Sequence, residues 1–216
     1  KEDLAILVKA GKKAEASKLR QEILKVNPAE IAIGMEIFDE LTAQNQSEKA
    51  VNLANELIEK NPKLRVKYDS EPMGKLYFRL AQLELARNNL QAAKVNADNA
   101  SKYTFSSKDV IRDLLSEIKQ KQQAAIGILM EQAKEKKSAG DTEGAIALLK
   151  RAQTVDPYND AVEEELNRIV NTSEAKDAFS EAKDMIKRES WLEARDMLEY
   201  VVSADPANKE AKKLLD

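Results

Sequence analysis

The chain has 216 residues, 43% apolar and 34% charged, with a net charge of −3, five aromatics per hundred residues, and neither cysteine nor histidine. That composition excludes disulfides, Ser–His and Cys–His nucleophile systems and His/Cys zinc centres, and it makes neither nucleic acid nor an anionic membrane the default partner. Six glycines and five prolines are too few turn residues for an all-β fold, and no apolar run approaches the roughly eighteen residues of a membrane span. No signal peptide is visible, but the chain opens on Lys1, as an excised domain would, and a lack of cysteine suits cytoplasm and periplasm alike.

Taken in order, the first predicted helix is 2–10, with Leu4, Ile6, Leu7 and Val8 on its apolar side. Gly11 turns it into a second helix, 14–26, closed by Asn27-Pro28, because the residue before a proline is pushed out of the helical region. A third helix, 30–43, carries Ile33, Ile37 and Leu41 along one side. The polar turn 44–47 leads to a fourth helix that Asn61-Pro62 closes. The stretch 63–73 reads as a long connection, with Ser70 as N-cap and Pro72 in the first turn of the next helix.

After the turn at Asn88 and the helix that follows it, Ser107 is placed to cap a new helix starting at Lys108. From there Ile111, Leu114, Leu115, Ile118, Ala125, Leu129, Met130 and Ala133 keep one apolar stripe, which predicts a single helix over 108–139, about 48 Å long at 1.5 Å per residue. Gly140 turns it into a helix that Pro157 stops, and Val162, Leu166, Ile169 and Val170 make 160–172 helical. A break is expected at 171–173, before the helix that leads to the turn at Glu189, and 209–216 reads as the start of a capping helix.

One ruler fits five places. In 140–157 the turn Gly140 is followed by Ala145, Leu149, Ala152 and Pro157, which puts the first three on one helix face. Gly11 leads likewise to Ala16, Ile23 and Pro28, and Asn45 to Ala50, Ala54, Leu57 and Pro62. Asn88 leads to Ala93, Ala97 and Ala100, with Phe105 in the proline's place, and Glu189 to Ala194, Leu198, Val201 and Pro206. An alanine stands five past every turn, so a neighbouring helix can approach closely there. Gly11 and Asn45 are 34 residues apart, as are Pro28 and Pro62. The later turns are separated by 43, 52 and 49 residues, so each excess is extra structure.

A 34-residue helix–turn–helix period is a solenoid signature, and these residues resemble the tetratricopeptide repeat family over nearly the whole chain. The family's bulky residue eleven before the turn and small residue seven before it are matched by Tyr77 with Ala81 and Leu129 with Ala133. Gly34 with Phe38 departs from both, and Ala178 with Ala182 matches only the small one. The expected architecture is therefore an all-α, tetratricopeptide-like helical-repeat solenoid of about five units in two blocks joined by a long helix. A three-unit block spans 1–105, the connecting helix 106–139 and a second block 140–216.

The resemblance implies a non-catalytic scaffold that binds a helical or extended peptide segment of a partner protein in its concave groove, without cofactor or metal. Met35, Phe78, Met130 and Phe179 stand ten before each turn, where the family faces its groove. Leu85 and Ile186 join them as apolar anchors, with Lys75, Arg79, Lys134, Lys137, Lys183 and Lys187 as a polar rim. The alternative is that inserted helices cover these residues. A chaperone-type carboxylate clamp fits only at Lys75 and Arg79, since Met35 and Asp39 stand where the preceding pair would need lysine and asparagine.

Two other functions stay open: a self-assembly module whose groove holds a helix of its own or of a sister chain, and an RNA-binding repeat. The acidic net charge and irregular first helices speak against RNA. GDTEG at 140–144 lacks the lysine of a phosphate loop and reads as a turn, acidic runs such as Glu163–Glu165 read as solvated faces, and Trp191 is expected to pack on a neighbouring helix.

Overall fold

The computed structural model describes residues 2–67, 69–104 and 108–215. Ser107 and Phe105, given roles above, lie outside the described residues. Among the described residues there are twelve helices and no strand: α1 (Glu2–Lys9), α2 (Lys13–Val26), α3 (Ile31–Ala43), α4 (Ser47–Lys60), α5 (Pro62–Arg65), α6 (Glu71–Ala86), α7 (Leu90–Ala100), α8 (Lys108–Ser138), α9 (Thr142–Val155), α10 (Asp160–Lys187), α11 (Trp191–Ala204) and α12 (Lys209–Leu215). They form two compact units, Lys1–Gln122 and Gln123–Asp216, which divide inside α8.

The five ruler turns share one backbone device. Gly11, Asn45, Asn88, Gly140 and Glu189 have positive φ, between 58° and 82°, and they are the only such residues among those described. In each case the next residue donates its N–H to the carbonyl five back: Lys12 to Leu7, Gln46 to Leu41, Asn89 to Glu84, Asp141 to Lys136 and Ser190 to Met185, at 2.8–3.0 Å. This is the Schellman closure, which satisfies carbonyls that the helix end leaves orphaned. Glycine enters the left-handed region freely and asparagine with little penalty, whereas a glutamate pays roughly 1–2 kcal/mol. Glu189, at φ 62° and exposed, carries that penalty. Glu189→Gly is therefore expected to stabilise the protein by about 1 kcal/mol, read as a higher urea midpoint at unchanged slope. The same change at Asn45, where asparagine already tolerates the conformation, is expected to give less.

The alanines five past the turns, Ala16, Ala50, Ala93, Ala145 and Ala194, are all buried. In the first unit Phe38, Leu57, Met73, Leu76 and Leu80 centre one core across α3, α4 and α6, and Leu4, Ala16, Ile33 and Ile37 make a second against α1 and α2. Thus α3 is buried on two sides. In the second unit Ile126 and Ala133 of α8 pack with Ala145, Leu149 and Ala152 of α9 and with Val162, Leu166 and Ile169 of α10. Phe179 and Ala182 of α10 pack with Leu198 and Val201 of α11 and Ala211 of α12.

Several expectations are corrected. The break at 171–173 is absent, and α10 runs unbroken as Asp160–Lys187. Asn171, Thr172 and Ser173 each cost under about 0.7 kcal/mol in a helix. Thr172 Oγ1 donates to the Arg168 carbonyl at 2.7 Å, and buried Ile169 and Ala175 hold the helix down on either side. Ser70 does stand at an N-cap, but its side chain is buried and makes no cap hydrogen bond. The 63–73 connection is not plain loop: α5 fills its start, Leu64 packs on the core, and Tyr103 Oη donates to the Arg65 carbonyl at 2.7 Å while its ring stacks on Tyr77. Trp191 is not packed on a neighbouring helix but 63% exposed at the start of α11.

Gly34 and Leu57 explain the second unit's departure from the family pattern. A Cβ on Gly34 would lie 2.6 Å from Leu57 Cδ2 and 3.0 Å from its Cγ. The bulk missing from α3 is supplied by the fully buried Leu57 of α4.

Candidate functional site

The residues ten before each turn fall into local groups. In the first unit, Met35 of α3 and Lys75 and Arg79 of α6 line one open cleft with Ala32, Glu36, Asp39, Glu71 and Pro72. Helical spacing puts Ala32, Met35, Glu36 and Asp39 on one face of α3, and Glu71, Lys75 and Arg79 on the facing side of α6. The floor is Met35, Ala32 and Pro72. Met35 is buried in the core and offers the cleft only its edge. Phe78 is half-buried against the same core, and Leu85 is buried.

The cleft's charges are internally paired. Arg79 Nη1 donates to Asp39 Oδ2 at 2.5 Å, bridging α6 and α3, and Lys75 pairs with Glu71 one turn before it. Asp39 thus occupies the arginine that a carboxylate clamp would use. Both pairs are exposed enough for water to compete, so each contributes at most about 1 kcal/mol and can be exchanged for a ligand's charges.

In the second unit, Met130 and Lys134 of α8 line a cleft with Gly127, Glu131, Lys137 and Ser138, closed on the far side by Glu165 and Arg168 of α10. Glu165 accepts from Arg168 Nε at 2.7 Å and lies 3.5 Å from Lys137 Nζ. Burial, the largest influence, pushes its carboxyl up. The Arg168 hydrogen bond and the charges of Lys137 and Arg168 outweigh it together, and the group titrates below the ordinary carboxylate range. Lys134 is exposed, its nearest acid being Glu131 at 3.8 Å.

Farther along α10, Lys183 Nζ sits 4.4 Å over the Phe179 ring and 4.0 Å from Glu210 of α12. Phe179 is only 8% exposed and belongs to the α10–α11–α12 core, with Ile186 half-buried against it. Lys187 is exposed and pairs with Asp184 at 2.7 Å. The structure therefore brings Met35, Lys75 and Arg79 together, Met130 with Lys134 and Lys137, and Phe179 with Lys183. No group of three or more potential metal-ligating side chains occurs among the described residues.

One polar cluster was not anticipated. Arg20 stands nine past Gly11, where the other units bury Ala54, Ala97, Leu149 or Leu198. Its guanidinium pairs with Glu36 and, at 2.7 Å, with Glu40 of α3, and Glu40 also accepts from Ser17 Oγ at 2.7 Å. An arginine at a core position of the ruler was the available signal.

No protein-family model and no curated protein matches this chain. Among solved structures it is similar to the TPR domain of P58(IPK), at 13% identity over 99% of this chain and 76% of that one, with a TM-score of 0.46. It is also similar to the TPR2AB domain of yeast Sti1 in complex with pHSP90, at 15% identity over 100% and 80%, TM-score 0.45. A TPR repeats protein from Bacteroides fragilis aligns at 15% identity over 100% and 94%, TM-score 0.40. At such identities the fold reading stands on the chain's own geometry. Five left-handed Schellman turns, each set between two successive helices and followed by a buried alanine at the same distance, make this chain an all-α, tetratricopeptide-like helical repeat.

Proposed function

We propose that the chain is a non-catalytic protein-interaction module that takes a peptide segment of a partner protein between its first helices. The observation that carries this reading is the cleft between α3 and α6, with an apolar floor and a rim of exchangeable ion pairs. An apolar floor supplies affinity through burial, and a rim of both signs selects register. The cleft at Met130 extends the same logic to the second unit. No His or Cys is present for nucleophilic or thiolate chemistry, and the carboxyls with a resolved shift, Asp141, Glu165 and Asp184, are each lowered beside a lysine or arginine rather than raised beside a second carboxyl.

Ala32 is exposed on the cleft floor. Ala32→Trp is expected to fill the cleft and weaken binding of peptides selected from an array by more than about tenfold. Because the site faces solvent, stability should change by no more than about 0.5 kcal/mol. Anisotropy titrations and melting curves on the same samples check both halves. Peptides that bind the variant as tightly as the parent would overturn the α3–α6 assignment.

A further inference from the structure

A second cleft adjoins the first, since Arg20, which lines it, pairs with Glu36 of the first. At the start of the chain, Val8 of α1, Lys13, Ala14, Lys18 and Arg20 of α2, and Ala43 of α3 line an open cleft of about 830 Å³. Arg20 lines it at a position where the other units bury an apolar side chain, and is drawn there to Glu36 and Glu40. Val8, 52% exposed, and Ala14, Ala16 and Ala43 make its apolar part, Ser17, Gln21, Gln44 and the Arg20-paired Glu40 its polar part, and Lys13 and Lys18 stand at it without an ion-pair partner among the described residues. An apolar part beside two free ammonium groups suits an acidic helix that presents a bulky apolar residue.

The chain itself carries such a helix. On α11, Trp191 and Leu192 are the large apolar residues most open to solvent, at 63% and 69% exposure. At 3.6 residues per turn Leu192, Asp196 and Glu199 share the outward stripe, with Glu193 beside it, and the buried Ala194, Leu198 and Val201 hold the opposite face down. Arg195, exposed between them, lies 3.3 Å from Glu199 and 4.0 Å from Asp196, while Glu193 has no ion-pair partner among the described residues. Apolar anchors and acids on α11 thus complement the apolar part and lysines of the α1–α2–α3 cleft.

We propose that a second copy of this chain seats the outer face of its α11 in the α1–α2–α3 cleft, giving head-to-tail self-association. Trp191 and Leu192 enter the apolar space, and Asp196 and Glu193 meet Lys13 and Lys18. The contact joins two different surfaces, so copies close into a ring or extend as an open chain according to the rotation between them.

Sedimentation velocity of the whole chain over a range of concentrations tests this. The weight-average mass should climb above that of one copy as concentration rises, and association should weaken as salt is raised, because the ion pairs are screened. Trp191→Ala with Leu192→Ala should weaken association by more than about tenfold, and the exposure of both residues should leave the melting temperature near the parent's. Lys13→Glu with Lys18→Glu should weaken it similarly, and mixing that variant with Glu193→Lys/Asp196→Lys protein should restore assembly between the two. A chain that stays monomeric at every concentration overturns the proposal. So does an assembly indifferent to both sets of changes, or one in which the charge-swapped mixture fails to associate.

Discussion

Leu57→Ala is expected to destabilise the protein by about 2–5 kcal/mol, the range for emptying a fully buried leucine site. Leu57 lies at the centre of the α3–α4–α6 core, and its isobutyl group fills the space that Gly34 leaves on α3. Gly34→Ala alone is also expected to be unfavourable. The added methyl would meet Leu57 Cδ2 and Cγ at 2.6 and 3.0 Å, and the resulting overpacking, about 1–3 kcal/mol, exceeds the gain of about 1 kcal/mol from replacing a helical glycine. In the Leu57→Ala background the sign reverses: the methyl enters the vacated space and the helix-propensity gain is kept. Urea unfolding of the four proteins gives a coupling energy directly. Strict additivity would show that Leu57 can turn away from Gly34 at no cost, and the packing described here would be wrong.

Ala93→Leu and Ala145→Leu are each expected to cost about 1–3 kcal/mol by overpacking. For a chain of this size that lowers the melting temperature by roughly 2–4 °C per kcal/mol. Both alanines are completely buried, and both stand five past a left-handed turn, one in each compact unit. At that distance the side chain points from the second helix of a pair at the first, and a Cβ alone fills the gap. The serine variants serve as controls of near-native volume. If both leucine variants melt with the parent, the five-fold ruler does not mark helix contacts and the repeat register is misassigned.

The repeat was legible in the amino-acid sequence because its constraint is local. A left-handed residue must be glycine, asparagine or a strained exception, and the alanine five later must be small for the paired helix to come close. Both requirements act within half a dozen residues, so the spacing of residue types exposes them, and even Glu189 was marked by the residues around it. The apolar stripe of α8 was equally local. The continuity of α10 was not. Asn171-Thr172-Ser173 is weak helix by propensity, and only Ile169 and Ala175, buried on either side, decide that the helix carries through.

The binding surface was only half legible, for the same reason. Spacing chose Met35, Phe78, Met130 and Phe179 as equivalent positions, but how much of each side chain meets solvent depends on the next helix along. Phe179 is covered because α12 packs on α11 and brings Ala211 to it, whereas the Met130 side of α8 stays half open. Trp191 shows the converse, a large side chain at a packing position that no neighbouring helix covers. The chain alone determined where helices turn and which faces pair, since those follow from backbone conformation and side-chain size. Which apolar residues are left for a partner was decided by tertiary packing, because burial depends on residues far away in sequence.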